Sequence, residues 1–216
     1  AALHVTYQTG HVALHHRARL APGETLLVHA GAGGVGSAAI QLGVAAGARV
    51  LATAGGPEKV ALCRDLGAEL VIDYRADDFV DPVKEATGGR GADVVYDPVG
   101  GDTFDRSRRC VAFEGRILVI GFAGGRFADA PTNHALIKNY SVVGVHWGLY
   151  EDHRPEVIRA AHRALMTLHA QGSIAPVVSR VIELEDVPAA LGDLARRATV
   201  GKVVARTNAP AGGLPG

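Results

Sequence analysis

The sequence predicts an α/β protein with a doubly wound, parallel six-stranded sheet and helices on both faces. Three observations point there. Short β-branched runs alternate with stretches of helical periodicity, the pattern of βαβ units feeding a parallel sheet. Glycines punctuate the joints, most clearly in "TGGRGADVVYDPVGG", where they flank one strand on both sides. A third glycine cluster, Gly31-Ala32-Gly33-Gly34-Val35-Gly36, leads from the first strand straight into a helix of small residues.

Taken in order, a helix over His11–Arg19 precedes the sheet. Strands follow at Thr25–His29, Arg49–Thr53, Glu69–Asp73, Ala92–Tyr96, Arg116–Ile120 and Tyr140–Val145. Between them lie helices over Gly34–Ala46, Pro57–Leu66, Asp78–Thr87, Thr103–Val111 and Asn133–Lys138. In the first of these, Ala39, Ile40, Gly43 and Val44 share a face small enough for close helix–sheet contact. The carboxylates Asp77, Asp78 and Asp81 read as a solvated helix start, favourable to its dipole. A further helix over Pro155–Ala170 repeats Val157, Ile158, Ala161, Leu165 and Leu168 at three- and four-residue steps. The last piece reads strand (Val177–Leu184), helix with Asp186 as N-cap and Pro188 in its first turn, and strand (Lys202–Arg206).

A chain of 216 residues accommodates one large domain or one and a half ordinary ones. Lys and Arg number 22 against 22 Asp and Glu, so no basic excess points to nucleic acid. No apolar run approaches a membrane span, and no leader pattern opens the chain. Cys63 and Cys110 lack CxxC spacing, which argues against a disulfide framework or thiolate metal site and for a reducing, cytoplasmic setting. The chain opens Ala-Ala-Leu-His without an initiator Met, as a piece of something longer would. Residues 208–216, "NAPAGGLPG", read as a flexible tail.

The glycine cluster contains Gly-x-Gly-x-x-Gly, the turn of a Rossmann nucleotide site. It needs a tight bend, backbone able to touch a pyrophosphate, and a helix N-terminus with free N–H groups and a positive dipole end. Gly33 forms the turn, Gly34 and Val35 present amides, and Gly36 lets the helix approach the sheet. The second strand then ends Thr53-Ala54-Gly55-Gly56, where NAD-type sites carry an acid for the ribose hydroxyls. A carboxylate would repel a 2′-phosphate, so its absence favours NADPH, with Gly55 leaving room and Lys59 supplying charge. Otherwise Lys59 is a solvated helix residue. A charged hydrogen bond of this kind is worth roughly 1.5–3 kcal/mol, about 10- to 100-fold in affinity. The loop Gly121-Phe122-Ala123-Gly124-Gly125, beyond the fifth strand, is assigned to the nicotinamide half, a plain surface loop being the alternative.

The segments "LAPGETLLVHAGAGGVGSAAIQLGVAAGARV", "LGAELVIDYR", "GADVVYDPVGG", "GRILVIGFAGG" and "RATVGKVV" resemble the cofactor domain of the medium-chain dehydrogenase/reductase superfamily, in its zinc-independent quinone oxidoreductase (zeta-crystallin-like) branch. The resemblance covers nearly the whole chain. It implies an NADPH site at Thr9, Gly33–Gly36, Gly55 with Lys59 and Tyr74, and Gly121–Ala123, with Arg197 reaching the 2′-phosphate. Tyr74 would contact the same phosphate or the adenine, or else is a half-buried loop tyrosine. It also implies a homodimer joined through the Tyr140–Val145 edge strand. Family members carry a GroES-like catalytic domain ahead of this region, on which residues 172–207 would partly pack. Residues 1–207 are therefore expected to form an NADPH-binding module that is weak or inactive alone.

Ten histidines raise the question of a metal. His11, His15 and His16 could share a helix face, but no HExxH or Cys partner accompanies them. The resemblance places the zinc-dependent relatives' cysteine ligand at Val5, so no metal is expected; His4 is adjacent but out of phase. No GxSxG elbow or P-loop is present. Asp97 and His146 fall near strand ends on the expected cofactor side, and no side chain is assigned as a catalytic acid or base. The expected activity of the intact protein is hydride transfer from NADPH to a quinone or conjugated enone. The alternatives are an enoyl or alkenal double-bond reductase, a non-catalytic NADPH-binding dimerisation module, and a methyltransferase using S-adenosylmethionine. The last usually wants an acid where Ala54 stands.

Overall fold

The computed structural model describes residues 2–207; the expected tail at 208–216 lies outside them. Six strands, β1 (Thr25–Val28), β2 (Arg49–Ala54), β3 (Leu70–Asp73), β4 (Ala92–Asp97), β5 (Val111–Val119) and β6 (Ser141–Gly144), pair in the order β3-β2-β1-β4-β5-β6. Every pairing is parallel. The crossovers carry α2 (Gly34–Ala45), α3 (Pro57–Asp65), α4 (Val80–Ala86), α5 (Gly101–Cys110) and α6 (Thr132–Lys138).

Side chains alternate across the sheet and feed two cores. Leu26, Val28, Val50, Val94 and Tyr96 join Ile40 and Leu42 of α2 on one face. Leu27, Leu51, Ile72, Val95 and Ile117 meet Phe79, Val83 and Phe104 on the other. With both faces covered, β1 is buried along its whole length, which is why Leu26-Leu27-Val28 is a continuous apolar run. The first core is completed by α1 (His4–His11) and α8 (Pro155–Ala170), with α7 (Leu149–His153) ahead of α8.

The helix expected at His11–Arg19 starts earlier, at His4, and widens into a π-helical stretch over Val12–Arg17. Its buried residues include Thr6, Gln8, Thr9 and Gly10, which carry no hydrophobic signal. A polar network holds it. Gln41 donates to the Tyr7 hydroxyl at 2.8 Å, Tyr7 donates to the Ala175 carbonyl at 2.9 Å, and the Ala175 amide returns to Gln41 Oε1 at 2.7 Å. Strand β5 is longer than Arg116–Ile120, because α5 runs into it at Val111 without a loop. A register shift opposite Ala92–Val94 and a left-handed Glu114 (φ 58°) had hidden the first half. Val44 is 43% exposed and covers Gly67 rather than the sheet.

The chain closes with β7 (Val178–Ile182), α9 (Val187–Ala195) and β8 (Lys202–Ala205), whose strands form a separate parallel pair. Asp186 stands at the N-cap of α9 without a side-chain bond. This unit is stitched to the glycine turn: the Gly201 amide donates to the Ala32 carbonyl at 2.8 Å, and Gly201 bridges Gly33. Among the described residues, no helix is long and apolar enough to cross a membrane.

A Cβ at Gly36 would overlap the Ala30 carbonyl oxygen, so the glycine admits the turn's own backbone; Gly43, against Leu26 and Val50, is the one facing the sheet. Gly36→Ala is expected to cost about 2 kcal/mol. A drop in Tm of about 4–8 °C should follow for a domain of this size, and an unchanged melting curve would refute the contact.

Candidate functional site

In a doubly wound sheet, crossovers run left from one central strand and right from its neighbour, and the loops part above the carboxyl ends. Here that point lies between β1 and β4. A cavity of about 790 Å³ opens there, walled by α5 and the segments after β1, β2, β4 and β5, and roofed by the end of α9 and the residues that follow it, 194–199. Of the residues expected from sequence, Gly33, Thr53, Gly55, Lys59, Tyr74, Ala123 and Arg197 line it.

The others sit elsewhere. Gly34, Val35 and Gly36 form the first turn of α2, just behind Gly33. Among the described residues their amides find no backbone acceptor, as the start of a helix dictates. Lys202 of β8 lies over Gly34. Gly121 and Phe122 are outside the lining; the Phe122 ring packs edge-on against Phe127, centroids 4.8 Å apart. Thr9 is buried inside α1.

The space at Gly55 is already used. A Cβ there would lie 2.5 Å from the Tyr74 hydroxyl, so the glycine makes room for this phenol rather than for a ligand group. Tyr74 is placed by its own amide, which donates to the Ala54 carbonyl at 3.1 Å. Lys59 Nζ reaches across the mouth and donates to the Arg197 carbonyl at 2.6 Å. Arg197 holds a left-handed backbone (φ 58°), and its guanidinium approaches the Ala123 carbonyl at 3.5 Å. The roof is thus pinned to two walls by groups expected to meet a ligand.

The floor contains a residue that sequence reasoning passed over. His29 ends the β1 run fully buried, with Nδ1 3.0 Å from Thr53 Oγ1 and Nε2 2.8 Å from Ser107 Oγ. The Ser107 hydroxyl donates to the Thr103 carbonyl at 2.7 Å. Ser107 therefore accepts from His29 Nε2–H, leaving Nδ1 to accept from Thr53. One neutral imidazole ties β1, β2 and α5 together, and burial pushes its pKa down to about 3. A histidine closing an apolar strand directly before a glycine turn was the available signal.

Asp97, at the end of β4, is buried, which raises its pKa, and accepts from the Val99 and Gly100 amides at 2.8 and 2.9 Å. It shapes the cavity wall rather than facing a ligand. His146 caps the start of α7, its Nδ1 accepting from the Leu149 amide at 3.2 Å, and is not part of the lining. Arg106 and Arg126 line the cavity and were not anticipated. Arg106 lies 5.2 Å above the Phe79 ring. Arg126 pairs with Asp102 at 2.9 Å and also with Asp105. Arg106 and Arg126 are offset by Asp78, Asp102 and Asp105, which leaves Lys59 and Arg197 as the lining cations without an ion pair among the described residues, a field that favours an anion.

No group of three or more His, Cys, Asp or Glu that could hold a metal occurs among the described residues. The His11 and His15 rings, 4.6 Å apart, line a smaller hollow of about 330 Å³ beside α8. Burial brings His11 to about 4 and also lowers His15.

The family described as zinc-binding dehydrogenase matches residues 34–163. The chain is 40% identical to quinone oxidoreductase-like protein 2 of Bos taurus over 205 residues, 94% of this chain and 59% of that protein. The solved structure of Escherichia coli quinone oxidoreductase complexed with NADPH superposes with a TM-score of 0.86 at 32% identity, covering 95% of this chain and 64% of that one. CurK enoyl reductase superposes at 0.84 with 29% identity, covering 95% and 61%. The chain therefore spans about three fifths of the length of these relatives.

The buried neutral His29 predicts acid sensitivity. Its depressed folded pKa means the unfolded chain binds the extra proton. Stability is fully present above the usual 6.5 and is lost as pH falls toward about 3, at about 1.4 kcal/mol per unit. Denaturant unfolding at pH 7 and 4.5 should show about 2–3 kcal/mol of loss that His29→Gln lacks; equal acid sensitivity in both proteins would contradict the assignment.

Proposed function

Because the chain belongs to the medium-chain dehydrogenase/reductase superfamily, as the nucleotide-binding domain of a quinone oxidoreductase-type member, we propose that it binds NADPH for hydride transfer to a quinone or conjugated enone. The observation that carries this reading is the wall at the end of β2. Its lining bears Lys59 and no carboxylate, opposite Arg197, a charge pattern that suits a 2′-phosphate better than bare ribose hydroxyls.

NADPH supplies the hydride, and the protein holds the cofactor in register with the acceptor and keeps water out. The amides of Gly34 and Val35, with the positive end of α2, would face the pyrophosphate. Lys59 gives one N–H to Arg197 and keeps two for the phosphate, beside the Tyr74 hydroxyl. The Gly121–Ala123 loop would border the nicotinamide half, and Thr9 would lie toward that end. Residues 1–207 would act as one binding module in a cytoplasmic protein. In it Val181, Leu184 and Leu191, all more than half exposed, would meet the catalytic domain that completes the acceptor cleft. Alone, the module would turn NADPH over poorly. The free edge of the sheet at β6, with exposed Val142, would join two copies. The likeness to CurK enoyl reductase favours a second reading, reduction of an enoyl or alkenal double bond; which acceptor oxidises NADPH in the intact protein separates the two.

NADPH at a hundred times its Kd should stabilise the chain by about 2.7 kcal/mol, with NADH at the same concentration giving less. Equal protection in thermal melts would sink the phosphate assignment. Lys59→Ala should weaken NADPH about 10-fold or more and leave NADH unchanged; titrations in which both cofactors lose equally would remove Lys59 from the site.

A further inference from the structure

Resting on the NADPH reading, we propose that Arg75 is a specificity-determining residue, a guanidinium that grips the 2′-phosphate beside Lys59 and Tyr74. The side chain lies along the Gly55–Gly56 backbone. A Cβ at Gly55 would be 3.1 Å from Arg75 Nε, and one at Gly56 would be 3.2 Å from Nη1. The cation therefore sits at the turn where NAD-type sites carry their acid, next to the Tyr74 hydroxyl that fills the space over Gly55.

This placement is built rather than incidental. Asp73 Oδ1, at the end of β3, accepts from both the Gly56 and Arg75 amides at 3.0 Å. One carboxylate oxygen thus locks the turn after β2 to the turn after β3 and sets Arg75 against the glycines. These two hydrogen bonds hold the Asp73 carboxyl below its usual range, so it stays a charged anchor. The other cations near the cavity have partners: Arg126 is paired with Asp102 and Asp105, and Lys59 already serves the Arg197 carbonyl. Among the described residues the Arg75 guanidinium makes no hydrogen bond or ion pair, although the residue is exposed and lies beside these groups. A planar fork of free donors fits the oxygens of a phosphate, which a single ammonium cannot match.

The test is calorimetric titration of the chain with adenosine 2′,5′-bisphosphate and with adenosine 5′-monophosphate, for the unaltered protein, Arg75→Ala and Arg75→Lys. The unaltered chain should prefer the bisphosphate. Arg75→Ala should lose about 10-fold of that preference with the monophosphate unchanged, and Arg75→Lys should recover part of it, restoring charge without the fork. An undiminished preference in Arg75→Ala overturns the proposal. So does equal weakening of both nucleotides, which would mark Arg75 as a stacking partner of adenine. If the unaltered chain shows no preference, the NADPH reading itself fails and Arg75 falls with it; that arm stands apart from the variants, so the two failures are distinguishable.

Discussion

The carboxyl end of the sheet depends on how closely α2 approaches the end of β1. The Ala30 carbonyl rests where a side chain at Gly36 would be, and the same oxygen accepts the Gly33 amide at 2.9 Å. Ala30 adopts a left-handed backbone to make this possible (φ 51°), a conformation that costs an L-residue about 1–2 kcal/mol. The helix start is thereby held directly beyond the strand, with three amides that find no backbone acceptor among the described residues. The cavity, the roof hooked onto Ala32 and the field above them all follow from that approach.

Beneath the cavity, rigidity comes from polar groups as much as from packing. His29, Thr53 and Ser107 close a buried chain in which each hydrogen has one acceptor, and Asp97 fastens the β4 turn by two backbone amides. Such networks cost stability if one member is left unpaired, so they specify a single arrangement of strand ends. Asp73 does for β2 and β3 what His29 does for β1, β2 and α5. Three strand-terminal polar residues therefore hold the loops that wall the cavity.

The roof introduces a competition. Lys59 and Arg197, both expected to face an anion, are engaged with carbonyls across the mouth. An anion that displaced these carbonyls would have to offer the cations more than a neutral oxygen does, and charged acceptors do so by about a factor of two in hydrogen-bond strength. The two contacts tie the segment after α9 to α3 on one side and to the loop after β5 on the other.

The chain order of βαβ units, the parallel sheet, the glycine turn and the missing acid after β2 were all legible in the sequence, because strand periodicity, backbone-permissive glycines and the identity of a strand-end residue are local properties. Boundaries were misjudged where the chain gave no local mark: α1, whose buried face is polar, and β5, which begins without a turn. The lining of the cavity was half legible. Gly33, Thr53, Gly55, Lys59, Tyr74, Ala123 and Arg197 could be named in advance, but Arg106 on α5 and Arg126 beyond β5 are brought to the same cavity only by the sheet order. That Gly55 makes way for Tyr74, that Lys59 holds the roof, and that Asp73 presses Arg75 onto the glycines were decided by tertiary structure, since each is a contact between separate elements that no local pattern records.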